Sequence, residues 1–496
     1  MVPLDPVPQP IDHVLCGAPD AAALIDSAGV WTYAQLEEAV GAVSAWLSVQ
    51  GLAAGDRVAT WLPKTRLACV MPLAAARAGL VHVPINPALR RAQVAHIMTD
   101  SGAGLLVTQG SRAATLEPAD VTVPIALDPA IPLDGTGLPR SAADPQALAA
   151  ILYTSGSTGL PKGVMLSHAN LWLGAVSVAH YLGIAPDDRV LGVLPLSFDY
   201  GQNQLFSTWR AGGAVAPLDY LTARDVVKAV DRVGATTLAG VPPLWTQLLE
   251  ADWPPATAAR LRRLTNSGGA LTPRLSQGLA ARFPNADIYA MYGLTEAFRS
   301  TYLPPDLLAT HPQAMGRAIP FAEVMAVAND GSRAVGTPGE LVHAGPLVSQ
   351  GYWRDPARTA HRFRPAPTFS ASGGTAVWSG DNVIEGEDGL FRFVGRDDEM
   401  IKSAGNRISP GEIEAAVLAG DEAREAVAIG VADERLGQAI VVVLAGDPAR
   451  EAALRARLRT DLPTFMQPVR YDWRDELPHN ANGKLDRARL RAEMLS

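Results

Sequence analysis

The chain has 496 residues, of which 48% are hydrophobic, and its formal net charge is −8. This length and apolar content predict a large core that is divided among more than one domain. The interspersed charges form no clustered basic face, which excludes the pattern of a nucleic-acid-binding protein. The two cysteines exclude a disulfide framework or a zinc site. The first residues do not form a secretory signal and no apolar run is as long as a membrane span, so we expect a cytoplasmic protein without a membrane partner.

Helical and strand patterns alternate through the first part of the chain. Residues 34–51 are apolar at helical spacing and end at a glycine, and residues 57–63 have the character of a strand. A helix, a glycine turn and a strand follow in residues 90–108, and similar alternation recurs in 225–243 and 279–293. Such alternation is typical of parallel sheets covered by helices. It predicts an α/β fold for a large N-terminal domain.

The character of the sequence changes near residue 320. Between residues 321 and 394, short β-like segments separated by glycine predict a small antiparallel, barrel-like subdomain. A helix with Pro and Glu in its first turn follows, and residues 425–446 predict a hairpin. We therefore expect an N-terminal core over residues 1–397 and a small α+β domain over residues 398–496, which is long enough to be a separate domain.

The segment YTSGSTGLPKGV, residues 153–164, is the strongest candidate for a binding site. Its small residues allow a phosphate chain to approach the backbone, its N–H groups and hydroxyls can donate hydrogen bonds, and Lys162 adds a positive charge. It is not a Walker loop, because Pro161 precedes the lysine and no Ser or Thr follows it. The alternative, a mobile Gly/Ser linker, is disfavoured because a strand-like and a helix-like segment flank the loop closely.

Three further segments carry polar residues suited to a nucleotide. In MYGLTEAF, Thr295 can donate to a phosphate and Glu296 can hold Mg²⁺, although a helix N-cap followed by Glu gives the same pattern. In WSGDNV, Asp381 is suited to accept hydrogen bonds from a ribose diol, and Arg396 is a second polar contact at the domain junction. Lys484 lies in LPHNANGKLDR, where a lone lysine is more often a solvated surface charge than a catalyst.

Together and in this order, the four segments resemble the superfamily of adenylate-forming enzymes, which includes acyl-CoA synthetases, peptide-synthetase adenylation domains and luciferases. The resemblance extends over essentially the whole chain. It implies that a carboxylate attacks the α-phosphate of ATP, with Mg²⁺ as the metal, to give an acyl-adenylate and pyrophosphate. A thiol then takes the acyl group. It also implies that the C-terminal domain is a lid that rotates between the two half-reactions.

The resemblance assigns the ATP contacts by position. The residues that line the phosphates are Thr154, Ser155, Gly156, Ser157, Thr158, Gly159 and Lys162. Thr295 and Glu296 hold phosphate and Mg²⁺. The residues assigned to the ribose and the adenine are Asp381, Arg396 and Tyr292.

The resemblance also assigns the catalytic steps. Lys484 bridges the substrate carboxylate and the α-phosphate, where it offsets the charge that develops in the transition state. Asp398 is the hinge of the lid, and Lys402 and Gly405 belong to the lid face used in thioester formation. Ser379 replaces the usual Thr beside the ribose-binding Asp and keeps the hydroxyl.

The stretch LSFDYGQNQLF, residues 196–206, contains one carboxylate, Asp199, among Leu, Phe and Tyr. A charge in apolar surroundings is costly unless it gains a partner. The stretch resembles amino-acid-activating adenylation domains, in which the Asp after Phe receives the substrate ammonium. Acyl- and aryl-CoA synthetases commonly carry a bulky His or aromatic residue in this stretch. The alternative is that Asp199 caps the helix that follows.

Alignment of the matched motifs extends this pocket. Its predicted substrate-binding residues are Asp199, Tyr200, Asn203, Gly240, Thr265, Ser267, Gly268, Met291, Arg299 and Ser300. Arg299 stands out, because a guanidinium suits bidentate binding of a second carboxylate, with Ser267 as a helper. The alternative is that Arg299 turns outward or pairs with a local acid, since arginine is mostly exposed in proteins.

An Asp for an ammonium and an Arg for a carboxylate together describe an acidic amino acid. If the distal carboxylate of an aspartate-like substrate reacts, the substrate is a β-amino acid from the viewpoint of the enzyme. The combination resembles the stand-alone β-amino-acid–carrier-protein ligases of macrolactam polyketide pathways, which are part of antibiotic biosynthesis.

This resemblance implies a thiol acceptor in trans, because no carrier segment follows Lys484. The acceptor is an acyl carrier protein, and free CoA is the alternative. An acyl- or aryl-CoA synthetase and an α-amino-acid-adenylating enzyme stay open as functions. A non-catalytic nucleotide-binding protein is disfavoured, because the residues assigned to catalysis are all present.

Overall fold

The computed structural model describes residues 2–154, 161–396, 401–403, 406–433, 436–462 and 464–495. The strands of these residues are β1 Ala22–Asp26, β2 Gly29–Thr32, β3 Arg57–Trp61, β4 Val81–Pro84, β5 Leu105–Thr108, β6 Ile125–Leu127, β7 Leu148–Thr154, β8 Lys162–Ser167, β9 Arg189–Gly192, β10 Ala214–Pro217, β11 Thr237–Gly240, β12 Arg263–Asn266, β13 Asp287–Tyr292, β14 Thr301–Leu303, β15 Ala314–Ala318, β16 Glu323–Val327, β17 Pro338–Ala344, β18 Phe363–Pro365, β19 Thr375–Glu385, β20 Phe391–Arg396, β21 Ile401–Ser403, β22 Asn406–Ile408, β23 Ala423–Asp433, β24 Gly437–Gly446 and β25 Arg470–Arg474. The α-helices are α1 Tyr33–Ser48, α2 Arg66–Arg77, α3 Arg91–Ser101, α4 Gly110–Ala113, α5 His168–Tyr181, α6 Asp199–Arg210, α7 Ala223–Val233, α8 Pro242–Glu250, α9 Pro255–Arg260, α10 Pro273–Arg282, α11 Pro356–Arg362, α12 Pro410–Leu418, α13 Glu451–Asp461 and α14 Arg487–Leu495.

The strands of the described residues form three sheets. The first has the order β6-β5-β3-β4-β7-β8 and is parallel except for β8, which is antiparallel to β7. The second runs β16-β17-β19-β20-β15-β14-β13-β12-β11-β9-β10-β1-β2, with β18 beside β19. Its central strands, β13 to β1, are parallel, and the strands from β14 to β16 are antiparallel. The third, of β21 to β25, belongs to the C-terminal part of the chain.

Helices α5 and α6 lie in the main core of the molecule and are buried along almost their whole lengths. The start of α5 is fixed by a capping box, in which the Ser167 hydroxyl accepts from the backbone N–H of Asn170 and the Asn170 side chain accepts from the backbone N–H of Ser167. Trp209 of α6 donates its indole N–H to the carbonyl of Ala23 at 2.9 Å, which holds the helix against β1. The core therefore fixes the position of α6, whose first residue is Asp199.

The C-terminal part has its own apolar core, in which α12 and α13 pack against β23 and β24. It contacts the larger part through Asn86, whose side-chain amide donates to the carbonyl of Ala481 and to Asn482, both at 3.1 Å. Arg274 also donates to the carbonyl of Gly420 at 3.0 Å. The two contacts of Asn86 hold the loop that carries Lys484 against the N-terminal part.

The predicted fold class is confirmed: an α/β N-terminal part continues into antiparallel strands and is followed by a small α+β part. The predicted hairpin of residues 425–446 corresponds to β23 and β24. The expectation that a strand and a helix flank the glycine-rich loop directly was incomplete, because β8 lies between the loop and α5. The boundary at residues 397/398 stays a prediction. No helix of the described residues is long and apolar enough to cross a membrane.

Candidate active site

The glycine-rich loop connects two antiparallel strands whose last described pair is Thr154 and Lys162. The hydroxyl of Thr154 is buried and has no hydrogen-bond partner. The amine of Lys162 donates to Glu296 Oε1 at 3.0 Å and to the hydroxyl of Tyr352 at 2.8 Å. The Tyr352 hydroxyl in turn donates to Glu296 Oε1 at 2.6 Å. An amine, a carboxylate and a phenol thus meet beside the loop.

The pKa of Glu296 is shifted in the direction that keeps its carboxylate charged. Burial raises the pKa of Glu296, but the charge of Lys162 and the hydrogen bonds from Tyr352 and Lys162 outweigh it, so that the pKa is lowered. Burial lowers the pKa of Lys162, and the charge of Glu296 opposes that change. The carboxylate is therefore available as an oxygen ligand for a hard cation.

Tyr352 was missed by the sequence analysis. It lies in no recognisable motif, and it reaches the site because its backbone forms a β-bridge with Val164 of β8. The signal in the sequence is weak, since an aromatic residue after a glycine in QGYW is most simply explained by packing. Thr295, by contrast, lies beside Glu296 in a buried 3₁₀ turn of residues Thr295–Ala297, as its motif predicts.

The second half of the predicted nucleotide site lies on β19 and β20. Asp381 and Arg396 are paired across these two strands, so the two residues predicted to hold a ribose are neighbours. The carboxylate of Asp381 is buried and accepts a hydrogen bond from the hydroxyl of Tyr292. The hydroxyl of Ser379 accepts from the backbone N–H of Asp381 at 3.0 Å, which shows what the retained hydroxyl does. The stacking of Tyr292 on an adenine stays a prediction.

Lys484 lies beside Phe198 and Gly268, although it belongs to the C-terminal part of the chain and is far from both in the sequence. Its amine lies 4.8 Å from the centre of the Phe198 ring. Its Cε is 2.5 Å from the position that a Cβ on Gly268 would take, so a side chain at Gly268 would collide with it. Gly268 also has a φ of +82°, which favours glycine. The charge of Lys484 counters the rise in the pKa of Asp199, and the catalytic role of Lys484 stays a prediction.

Asp199 is the first residue of α6 and is 8% exposed. Its Oδ1 has no hydrogen-bond partner, and the N-cap of the helix is Phe198, with no side-chain cap. Burial raises the pKa of Asp199, and the charges of Arg299 and Lys484 counter that rise. The alternative role as an N-cap residue is therefore not supported, and one carboxylate oxygen remains to accept a donor.

Arg299 is 2% exposed and does not turn outward. Its guanidinium carbon lies 4.6 Å from the centre of the Tyr200 ring, and one of its N–H groups points to the sulfur of Met291 at 3.7 Å. Its Nε has no hydrogen-bond partner, and no carboxylate of the described residues forms an ion pair with it. A buried cation without an anion is costly, so this pocket is suited to a ligand that brings one.

Arg299 borders a buried cavity together with four of the other predicted pocket residues. These are Tyr200, Asn203, Thr265 and Met291. The cavity is also lined by Gln204 and Thr208 of α6, whose side-chain polar atoms have no hydrogen-bond partner. The Nδ2 of Asn203 is likewise unpaired. The cavity thus has several buried donors that a polar or anionic group could satisfy.

The sequence analysis did not name Gln204 and Thr208, although helical spacing gives the signal. Both follow Tyr200 at intervals of four residues and therefore share a face of α6 with it. Tyr200 itself donates to the carbonyl of Thr265 at 2.6 Å, which fixes the ring below the guanidinium of Arg299.

The remaining predicted pocket residues have different surroundings. Gly240 ends β11 and leaves room for the ring of Trp245, which a Cβ would approach to 2.7 Å. Ser267 is buried and its backbone N–H donates to the carbonyl of Gly240 at 3.4 Å. The hydroxyl of Ser300 lies 2.9 Å from Nδ1 of His343, so Ser300 contacts β17 and does not line the cavity with Arg299. Its part in substrate binding stays a prediction.

Several predicted residues lie outside the described part of the chain. These are Ser155, Gly156, Ser157, Thr158, Gly159, Asp398 and Gly405. Lys402 lies in strand β21 and Arg396 in strand β20. The roles assigned to all of these residues stay predictions.

Comparison with known proteins agrees with this geometry. Residues 12–353 match the family model described as AMP-binding enzyme, and residues 412–484 match the AMP-binding enzyme C-terminal domain. The chain therefore belongs to the AMP-binding enzyme family. This match supports the predicted AMP-forming reaction with ATP and Mg²⁺.

Three relatives illustrate the similarity. An L-proline–[L-prolyl-carrier protein] ligase of Streptomyces coelicolor is 32% identical over 92% of this chain and 91% of its own length. The probable non-canonical nonribosomal peptide synthetase CymA of Salinispora arenicola is 31% identical over 97% of this chain, which spans only 6% of the length of that relative. The structure of ATP-bound MatB from Rhodopseudomonas palustris superimposes with a TM-score of 0.88 at 28% identity and covers 98% of this chain and 99% of MatB.

The described residues fit ATP and Mg²⁺. The unpaired hydroxyl of Thr154 and the amine of Lys162 flank the loop predicted to hold the phosphates. Glu296 supplies a carboxylate, and within the described residues no group of three or more His, Cys, Asp or Glu side chains could hold a metal ion alone. Because Mg²⁺ is usually bound through one or two carboxylates together with substrate phosphates, one carboxylate beside a phosphate site is sufficient.

Proposed function

We propose that this enzyme activates an acidic, aspartate-like amino acid through its aminoacyl-adenylate and transfers it to the phosphopantetheine thiol of a separate acyl carrier protein. The substrate is a β-amino acid with respect to the carboxylate that reacts. The finer proposal is 3-methylaspartate or a close relative, in a macrolactam polyketide pathway such as that of vicenistatin. The carrier protein is supported by the similarity to a prolyl-carrier-protein ligase of nearly the same length.

The observation that carries the proposal is that two buried side chains of opposite charge, Asp199 and Arg299, form no ion pair among the described residues. Asp199 has a free carboxylate oxygen, and Arg299 has no carboxylate within ion-pair distance in the described residues. The two side chains influence each other electrostatically but form no ion pair. A substrate that carries an ammonium and a second carboxylate, besides the one that reacts, neutralises both charges, whereas a neutral amino acid leaves the guanidinium unpaired.

The chain's own groups then have separate tasks in the reaction. Asp199 accepts hydrogen bonds from the substrate ammonium, and Arg299 holds the carboxylate that does not react. The amine of Lys484, which lies beside Phe198 and Gly268, stabilises negative charge near the reacting carboxylate. ATP supplies the AMP group that activates that carboxylate, and pyrophosphate leaves.

Amino-acid-dependent exchange of pyrophosphate into ATP tests the substrate. The panel contains aspartate, 3-methylaspartate, β-alanine, neutral α-amino acids, and simple fatty and aryl acids. We expect the highest kcat/KM for acids that carry both an ammonium and a second carboxylate. A preference for neutral amino acids would contradict the role of Arg299, and a preference for fatty or aryl acids would contradict the role of Asp199.

The acceptor is tested separately, with the preferred acid from that panel. Transfer to a purified carrier protein bearing phosphopantetheine is compared with transfer to free CoA at equal thiol concentration. Faster acylation of the carrier protein is expected. Equal or faster acylation of CoA would identify a CoA ligase and contradict the carrier-protein part of the proposal.

A further inference from the structure

Three basic side chains, Lys162, Arg358 and Arg362, lie close enough to one another for their charges to interact. Lys162 pairs with Glu296 at 3.0 Å, and Arg358 pairs with Asp355 at 3.4 Å. The third, Arg362, forms no ion pair with a carboxylate in the described parts of the chain. The charges of Arg358 and Arg362 both reach Lys162, where they add to the effect of burial in lowering its pKa. The cluster therefore carries a positive charge that no acidic side chain balances.

Arg362 is held between the two halves of the nucleotide site. It is the last residue of α11, and the next residue, Phe363, pairs with β19 and packs edge-on against Tyr352 with ring centres 5.5 Å apart. Its Nη1 lies 2.9 Å from the position that a Cβ on Gly380 would take, directly before Asp381 in the chain. Its charge also counters the rise in the pKa of the Tyr352 hydroxyl. Arg362 thus lies between Gly380, which precedes the predicted ribose contact Asp381, and Tyr352, which contacts Lys162.

The half-buried guanidinium of Arg362 donates to the hydroxyl of Tyr352 but has no carboxylate partner among the described residues, so its lost hydration is only partly compensated. Its planar set of N–H donors matches phosphate oxygens. We propose that Arg362 binds the β- and γ-phosphates of ATP, and hence also the pyrophosphate that leaves. It lies on the side of Lys162 and Glu296, whereas Lys484 acts on Asp199 in the amino-acid pocket. Arg362 should therefore strengthen the binding of ATP but not that of AMP, which lacks the β- and γ-phosphates.

Equilibrium binding tests this role without any amino acid present, so the result does not depend on the proposed substrate. Binding of ATP, AMP and pyrophosphate, each with Mg²⁺, is measured by titration calorimetry on the wild type and on Arg362→Met. We expect ATP and pyrophosphate to bind roughly 10- to 100-fold more weakly, because a hydrogen-bonded contact to a charged group is lost. AMP should bind as it does to the wild type. Arg362→Lys should recover part of the loss, because it restores the charge but not the planar donors.

Arg364 is the matched control, because it lies two residues further on and its charge is already paired. It donates to Glu340 at 3.1 Å and covers the ring of Trp378 at 3.9 Å. Arg364→Met should leave the ATP to AMP affinity ratio unchanged. Equal weakening of ATP and AMP by Arg362→Met would show a structural role, and unchanged ATP affinity would show that the side chain does not reach the phosphates; either result overturns the proposal. If Arg362→Met does not fold, Arg362→Gln is measured with the same expected outcome.

Discussion

Replacement of Arg299 by methionine tests the central claim about the substrate. Methionine retains much of the arginine stem, and it can pack against Tyr200 and Met291, the two residues that the guanidinium now contacts. It removes the positive charge from a residue that is 2% exposed. An acidic substrate would then bring an unpaired carboxylate into a desolvated pocket.

The expected cost follows from that burial. Loss of one partner of a buried charge pair typically costs about 2–5 kcal/mol, which corresponds to a fall in kcat/KM of roughly 30-fold to several-thousand-fold. A neutral amino acid of similar length should lose nothing and can gain. The KM for ATP should not change, because Lys162 and Glu296 form a separate cluster.

The assay is pyrophosphate exchange with aspartate-like and neutral amino acids in parallel. Arg317→Met is the control, because Arg317 is an exposed arginine that also lies over a tyrosine, Tyr302, at 5.7 Å. It should change neither activity. An equal fall for acidic and neutral substrates would indicate that Arg299 supports the structure of the pocket. An unchanged preference for acidic substrates would refute the reasoning.

Three further expectations concern the other groups of the site. Lys484→Ala should lower the rate of adenylate formation by roughly 100- to 1,000-fold, while thioester formation from a supplied adenylate is retained; stopped-flow measurement of each half-reaction checks this. Gly268→Ala should have a smaller effect on the same step, because its Cβ would displace Cε of Lys484 from a distance of 2.5 Å; an effect on both half-reactions alike would contradict this explanation. Because burial raises the pKa of Asp199 and only its charged form binds an ammonium, kcat/KM for the amino acid should rise with pH through that raised pKa. Asp199→Asn should have much lower activity, and its kcat/KM should no longer rise with pH. If the rise persists in this variant, a group other than Asp199 causes it.

The resemblance to amino-acid-activating adenylation domains predicted that Asp199 and Arg299, which are far apart in the chain, lie near each other, and the fold supplies a physical reason for this. One follows β9 and the other follows β13, and both strands belong to the parallel part of one sheet. The carboxyl ends of parallel strands share an edge, where loop residues converge on a ligand. This rule accounts for the edge of the sheet at which the two residues lie, whereas the choice of the individual pocket residues came from the resemblance to amino-acid-activating adenylation domains.

The burial of the polar side chains of α6 was harder to predict from the sequence. Helix α6 contains Gln202, Asn203 and Gln204, a composition that usually indicates a solvated face. The structure buries all three, because α6 is enclosed by other elements on almost every side. Burial of this kind is a property of tertiary packing and does not follow from the local sequence.

Tyr352 illustrates the same limit for a single residue. Its hydroxyl joins Lys162 and Glu296, yet its own neighbourhood in the chain, QGYW, resembles no binding motif. The link depends on the backbone bridge to Val164, which is formed only when β8 and the segment before α11 lie side by side. Residues that act through such long-range pairing require the structure.

The guanidinium of Arg299, which has no carboxylate partner among the described residues, also affects the stability of the substrate-free protein. Natural proteins accept strained or unsatisfied groups at functional sites at the expense of stability, and apolar substitutions at such positions commonly raise the melting temperature. The substrate-free enzyme is therefore less stable than it would be with an apolar residue in place of Arg299. A bound acid that pairs with the guanidinium would stabilise the native state by mass action. In the cell, the lifetime of this protein would then depend on the supply of the acid it consumes, so that enzyme abundance and substrate availability are coupled through a single buried charge.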